Sequence, residues 1–185
     1  NLSGKIMYDV TRTTNIYNAT DSTGAPVSIN YFEGSKYTAY LKLAEIRWDV
    51  TDWFTFHFGQ LLNTQYLTFI DLFWGYRYID VTFQERYRLG NPADFGVQFD
   101  FKAGDKFVTQ FSVVNGEGPF RYQDVSGEFI YSNNIQYTPI EGLTLKLYAD
   151  IGPSPDTNDI EYARSVLSWF TGYKKEKYRI GFEAV

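Results

Sequence analysis

Apolar and polar residues alternate with a period of two from one end of the chain to the other. Ile6, Tyr8 and Val10 are separated by Met7 and Asp9, and Phe54, Phe56 and Phe58 by Thr55 and His57. Phe95, Val97, Phe99 and Phe101 are separated by Gly96, Gln98 and Asp100, and the same rhythm runs through Leu143 to Ile151 and Tyr178 to Ala184. That period puts one apolar and one polar face on a β-strand, and no helical stripe of comparable length competes with it. The chain is therefore expected to be all-β, with strands near 4–12, 36–50, 53–61, 94–103, 107–115, 127–138, 143–152, 164–173 and 177–185.

A water-soluble sandwich alternates in the same way, so the residues on each face decide between the two. The apolar positions are heavily aromatic and gather near strand ends, as at Trp48, Trp53, Phe54 and Phe107. The opposite positions are Gly, Ser, Thr, Gln, Asp and Lys. Aromatic girdles outside, a watered interior, and segments of about 10 residues are the pattern of a transmembrane antiparallel β-barrel.

The connections sort into two lengths. Short ones fall at Val50 to Asp52, Gly104-Asp105, Pro139 to Gly142 and Lys174 to Glu176, and long ones at about 13–35, 115–126 and 153–162. Strict alternation of short and long, as barrels have, holds only if Leu61 to Ala93 is one long segment. The strand-like run from Tyr78 to Gln84 is then no wall strand. Residues 62–92 are expected to form a loop folded into the barrel mouth.

Composition narrows the functional classes. Of 185 residues 19% are aromatic and 44% hydrophobic, which excludes a disordered chain. Lys and Arg number 17 against 22 Asp and Glu, for a net charge of −5, and this argues against nucleic acid as a partner. There is no cysteine and one histidine, so thiolate metal sites and most imidazole chemistry are out of reach. The stretch from Trp53 to Ile70 lacks charges, but His57, Gln60, Asn63, Thr64 and Gln65 exclude a membrane helix there. Asn1-Leu2-Ser3-Gly4-Lys5 lacks a charged region followed by an apolar run, so the chain is expected to be either not secreted or a mature or trimmed form.

Phe56-His57-Phe58-Gly59-Gln60, Tyr66-Leu67-Thr68, Phe83-Gln84-Glu85-Arg86, Asn91-Pro92-Ala93-Asp94-Phe95-Gly96-Val97 and Val113-Val114-Asn115-Gly116-Glu117-Gly118 resemble stretches of bacterial outer-membrane porins of the phosphate-selective porin O and P superfamily. Tyr137-Thr138-Pro139 with Gly142-Leu143 resembles a later periplasmic turn. The resemblance covers most of positions 36 to 185. It implies a sixteen- to eighteen-stranded barrel, often trimeric, whose long third loop folds inward. It also implies residence in the bacterial outer membrane, contact with membrane lipid and lipopolysaccharide, and a homotrimer or other outer-membrane proteins as partners. A repeated lysine or arginine ladder is missing, so phosphate specificity is not carried over. Nine strands is an odd count where single-chain barrels have even ones, and Glu183-Ala184-Val185 ends inside a strand. Residues 1–185 are thus expected to be the N-terminal portion of a larger barrel domain.

Candidate chemistry is sparse. Arg77, Arg86 and Arg88 alternate with Asp80 and Glu85, beside Tyr76, in the inward loop. Fixed charges of both signs at a constriction select polar solutes by their local field, or pin the loop to the wall as salt bridges. His57, Asp100 and Lys146 are expected to line the lumen, as are Asp150, Lys102, Arg179 and Glu183. His57 has no nucleophile motif nearby, so no catalytic residue, cofactor or metal is expected. The acidic run Asp156, Asn158, Asp159 and Glu161 lacks EF-hand spacing and reads as a solvated loop. The expected function is passive diffusion of small polar or ionic solutes through a water-filled channel. The alternative is a barrel that anchors or scaffolds a surface protein assembly.

Overall fold

Each strand of the chain hydrogen-bonds antiparallel to the next, which gives a meander of nine strands in sequence order. These are β1 (Leu2–Thr20), β2 (Pro26–Asp49), β3 (Phe54–Leu62), β4 (Ala93–Ala103), β5 (Phe107–Val114), β6 (Ile130–Tyr137), β7 (Leu143–Pro153), β8 (Ala163–Lys175) and β9 (Tyr178–Ala184). Two short helices, α1 (Ile70–Trp74) and α2 (Phe83–Arg86), lie between β3 and β4. The computed structural model describes residues 1–20, 26–119, 127–153 and 163–185, with backbone alone for 9, 11–20, 26–36, 38, 40 and 163. The acidic run from Asp156 to Glu161 lies outside the described residues.

The all-β expectation holds, with two corrections. The closed barrel is not observed: among the described residues β1 and β9 each pair with a single neighbour, so the sheet is open. The reason is parity. In an antiparallel meander β1 and β9 run the same way, so joining them would create a parallel seam. The second correction concerns 13–35, expected as a long loop. There β1 and β2 continue as a ladder to Thr20 opposite Pro26. Thr14 opposite Phe32 and Tyr17 opposite Ile29, with Ile16, Val27 and Tyr31 in the same two segments, supply the β-branched and aromatic residues that favour pairing. The strand expected from 127 starts at Ile130, after Gly127 at φ +79°.

Register puts the polar residues of neighbouring strands in continuous rows. His57, Gln98, Ser112, Ser132 and Asp150 face one another in turn across β3 to β7. Beside them run Thr55, Asp100, Gln110, Asn134, Tyr148 and Ser168 across β3 to β8. The opposite face carries Trp48, Phe56, Phe99 and Phe111, and then Ile135, Leu147 and Trp169. A bulge at Lys42 keeps the faces in phase, with Leu43 buried on the polar side and Leu41 exposed on the apolar side.

The polar face is concave. Asp71 bounds one cavity with Lys5 and Met7 of β1, and another with Glu183 of β9. Laid flat, nine strands would separate β1 from β9 by roughly 38 Å, whereas α1 is about 7.5 Å long. The sheet must therefore curl into a trough around residues 63–92.

Candidate functional site

Residues 63–92 form an insertion that lies across the polar face. Its neck is closed by main-chain bonding from Asn63 N–H to Pro92 O at 3.0 Å and by the Asn63 side chain on Asn91 O at 2.7 Å. Tyr66 donates its hydroxyl to Gly90 O at 2.9 Å, and burial pushes that phenol's pKa up. Gln65 and Gln84, both fully buried, join through their amides at 2.8 Å. Gly90 leaves space for this arrangement, because a Cβ there would fall 2.3 Å from Gln65 Oε1.

The insertion rests on a small apolar core in an otherwise polar trough. Tyr66, Ile70 and Phe73 surround Phe170 of β8, with Leu67, Phe69 and Trp74 packed around them. Phe73 and Phe170 meet edge to face with centroids 5.0 Å apart. Neighbouring glycines make the room: a Cβ on Gly172 would lie 2.7 Å from the Phe73 ring, and one on Gly181 2.8 Å from Trp74. Three cations of the sheet reach the insertion from below. Lys146 Nζ donates to Gln65 O at 2.7 Å, Arg164 Nη2 to Leu89 O at 2.5 Å, and Arg179 Nη1 to Trp74 O. Glu183 accepts from Gln84 Nε2 at 3.3 Å.

The expected charged residues separate into distinct groups. Arg77 grips Glu85 with both terminal nitrogens and reaches Asp71 at 3.2 Å, which ties α1 to α2. Donation to the Glu85 carboxylate raises the Arg77 pKa further. Arg86 pairs with Asp80 and holds that carboxyl below the usual carboxylate range. Arg88 sits at φ +54° and its guanidinium has no partner among the described residues. It lines a cleft of about 580 Å³ with Tyr66, Glu85, Asn91, Glu117 and Arg164. Tyr76 is exposed, and Arg179 lies over its ring at 5.4 Å.

His57 and Asp100 are brought together on the sheet. His57 Nδ1 bonds Glu45, and Nε2 faces Asp100 Oδ2 at 3.3 Å. Asp100 also accepts from Gln98 at 2.7 Å and Gln110 at 3.0 Å. This polar cluster faces a cavity of about 520 Å³, walled on the far side by Leu67, Thr68, Leu72 and Arg77 of the insertion. Lys146 is not in open water: it is 2% exposed, beneath Gln65.

Sequence reasoning did not single out Glu45, Asp71 or Arg164. The Lys42 bulge hides the facing of Glu45, and Asp71 belongs to a helical turn too short to show a period. Among the described residues no group of three or more His, Cys, Asp or Glu is arranged to hold a metal ion. No helix of the described residues is long and apolar enough to cross a membrane. No family model matches the chain, and no curated protein or solved structure does either.

Proposed function

We propose that this chain is wall and constriction of an outer-membrane β-barrel, a porin through which small polar or ionic solutes diffuse. The observation that carries the reading is the division of the sheet into two faces. The convex face exposes Ile6, Trp48, Phe95, Phe111, Leu147, Leu167, Trp169, Ile180 and Phe182 among about twenty large apolar side chains. At roughly 100 Å² each they present on the order of 2,000 Å², several times the largest apolar patch of an ordinary soluble monomer. Hydrocarbon is the environment that accepts such a surface. The concave face carries amides, hydroxyls and charges that need water or partners.

Trp53, Phe54 and Phe101 stack near the β2–β3 turn, and Phe58 meets Phe95 toward the opposite end. Aromatic groups at both ends of the strands suit the two interfaces of a bilayer. The resemblance to the phosphate-selective porin O and P superfamily supports the same reading. An all-antiparallel wall needs an odd number of strands between β9 and β1, from this polypeptide or another.

In this mechanism strands β3 to β9 form a watertight wall, and the insertion narrows the bore. Transverse charge pairs, Arg77 with Glu85 and Arg86 with Asp80, create a local field across the aqueous path. The test is reconstitution of the full chain in planar bilayers. Stepwise ohmic conductance, with detergent required for solubility, supports the proposal. A monodisperse protein in detergent-free buffer that leaves bilayers sealed overturns it.

A further inference from the structure

Three long cationic side chains rise from three successive strands of the trough, and none ends on a carboxylate of the insertion. Lys146 of β7, Arg164 of β8 and Arg179 of β9 each end on a main-chain carbonyl, those of Gln65, Leu89 and Trp74. These oxygens mark the start, the far end and the middle of the insertion. We propose that these three residues are latches that fix the insertion on the trough floor, and so set the bore, rather than lumen charges that select ions.

Each partner solves the other's problem. A segment with only two short helices leaves carbonyl oxygens without ladder partners, and burial makes an unpaired carbonyl costly. A buried ammonium or guanidinium likewise needs acceptors. Trp74 is the last residue of α1, where helix carbonyls have no intrahelical partner and favour a cation. The seating there is specific. Gly75 adopts the left-handed conformation at φ +67°, and a Cβ on it would lie 2.8 Å from Arg179 Nη1. The guanidinium occupies that space and stacks under Tyr76 at 5.4 Å. Lys146, 2% exposed, makes no ion pair among the described residues, and its ammonium also lies over the Tyr148 ring at 5.4 Å. An ion-selecting charge must meet the solute; this one is sealed from it.

The consequence for conductance rests on the porin reading, but the latch itself does not. The experiment therefore has two readouts on the full chain in detergent micelles and in planar bilayers. Hydrogen exchange of amides 63–92 is compared for wild type, Lys146→Met, Arg164→Met and Arg179→Met. Each replacement should speed exchange near its carbonyl by roughly tenfold or more, the value of a charge-assisted bond, and add flicker to single-channel currents. For Lys146→Met, whose ammonium is sealed from solute, the cation-to-anion permeability ratio should stay at the wild-type value.

Arg179→Lys keeps the charge but removes the planar guanidinium that reaches Trp74 O and lies over the Tyr76 ring. It should speed exchange around Trp74 in the same way, and it settles the matter if a Met variant does not fold. Unchanged exchange in the variants overturns the latch, as does a shifted permeability ratio with unchanged exchange. Faster exchange in a protein that forms no channel keeps the latch and removes the porin reading.

Discussion

Leu147→Arg separates a lipid-facing wall from a sheet in water. Leu147 stands mid-strand in β7, 45% exposed on the convex face, between Ile135 of β6 and Trp169 of β8. If that face meets hydrocarbon near the bilayer midplane, the guanidinium should cost about 2–4 kcal/mol. At about 1.4 kcal/mol per tenfold, the folded-to-unfolded ratio falls by roughly 30- to 700-fold. If the face meets water, the same change at an exposed position should stay within about 0.5 kcal/mol. Tyr137→Arg supplies the depth control, because Tyr137 ends β6 beside a turn, where the cost should fall to about 0–1 kcal/mol. The assay is reversible denaturant unfolding in lipid vesicles, followed through the fluorescence of the 4 tryptophans. Equal midpoints for wild type and Leu147→Arg would refute the lipid-facing argument, whatever the conductance.

Four further outcomes are expected. Phe170→Ala should weaken docking of the insertion by about 3–5 kcal/mol through the cavity it leaves, read as faster proteolytic nicking between 63 and 92. Gly59→Ala should lower stability by more than about 1 kcal/mol, read as a lower unfolding midpoint, since φ is +125° and a Cβ would meet Ala44 O at 2.1 Å. Arg88→Gln should shift ion preference toward cations while changing stability by no more than about 0.5 kcal/mol, because that guanidinium has no partner among the described residues; an unchanged reversal potential would remove Arg88 from the constriction. The Asp80 carboxyl, held low by Arg86, contributes stability above the ordinary carboxylate range and loses it as pH falls through its folded-state value. Asp80→Asn should lower the melt at neutral pH by the same small amount that wild type loses on acidification, so that the two melt series converge at low pH.

What could be read from the residues follows from how local the signal is. The two-residue period commits a whole strand to one register, so Gln98, Thr144 and Lys146 could be placed on the polar face and Phe95 and Leu147 opposite. Connection lengths carried the parity argument that kept Tyr78 to Gln84 out of the wall, and the structure has no strand there. The long β1–β2 ladder was hidden because Asn, Ser and Gly among its residues look like turn formers, while the pairing depends on the facing strand. The roles of Lys146, Arg164 and Arg179 were hidden for a related reason. A bond to a main-chain carbonyl some 80 or 100 residues away leaves no mark in the pattern of side chains.

The trough floor is not an apolar core: Glu45 and Asp100 flank His57, Asp150 lies 3.9 Å from Arg164, and Lys146 and Glu183 end on Gln65 O and the Gln84 amide. Nor is it an open pipe. The insertion buries Gln65, Tyr66, Ile70 and Gln84 against the floor and leaves cavities of about 390, 520 and 580 Å³ at its margins. Each is large enough for a cluster of waters or a small solute. A plug would satisfy its outward residues as well as its inward ones, yet Tyr78 and Arg88 remain turned away from the floor, the first of them 81% exposed. On the proposed porin reading, an insertion packed on one side and exposed on the other would narrow a passage without closing it. That asymmetry is the reason to expect conductance from this protein rather than a sealed wall.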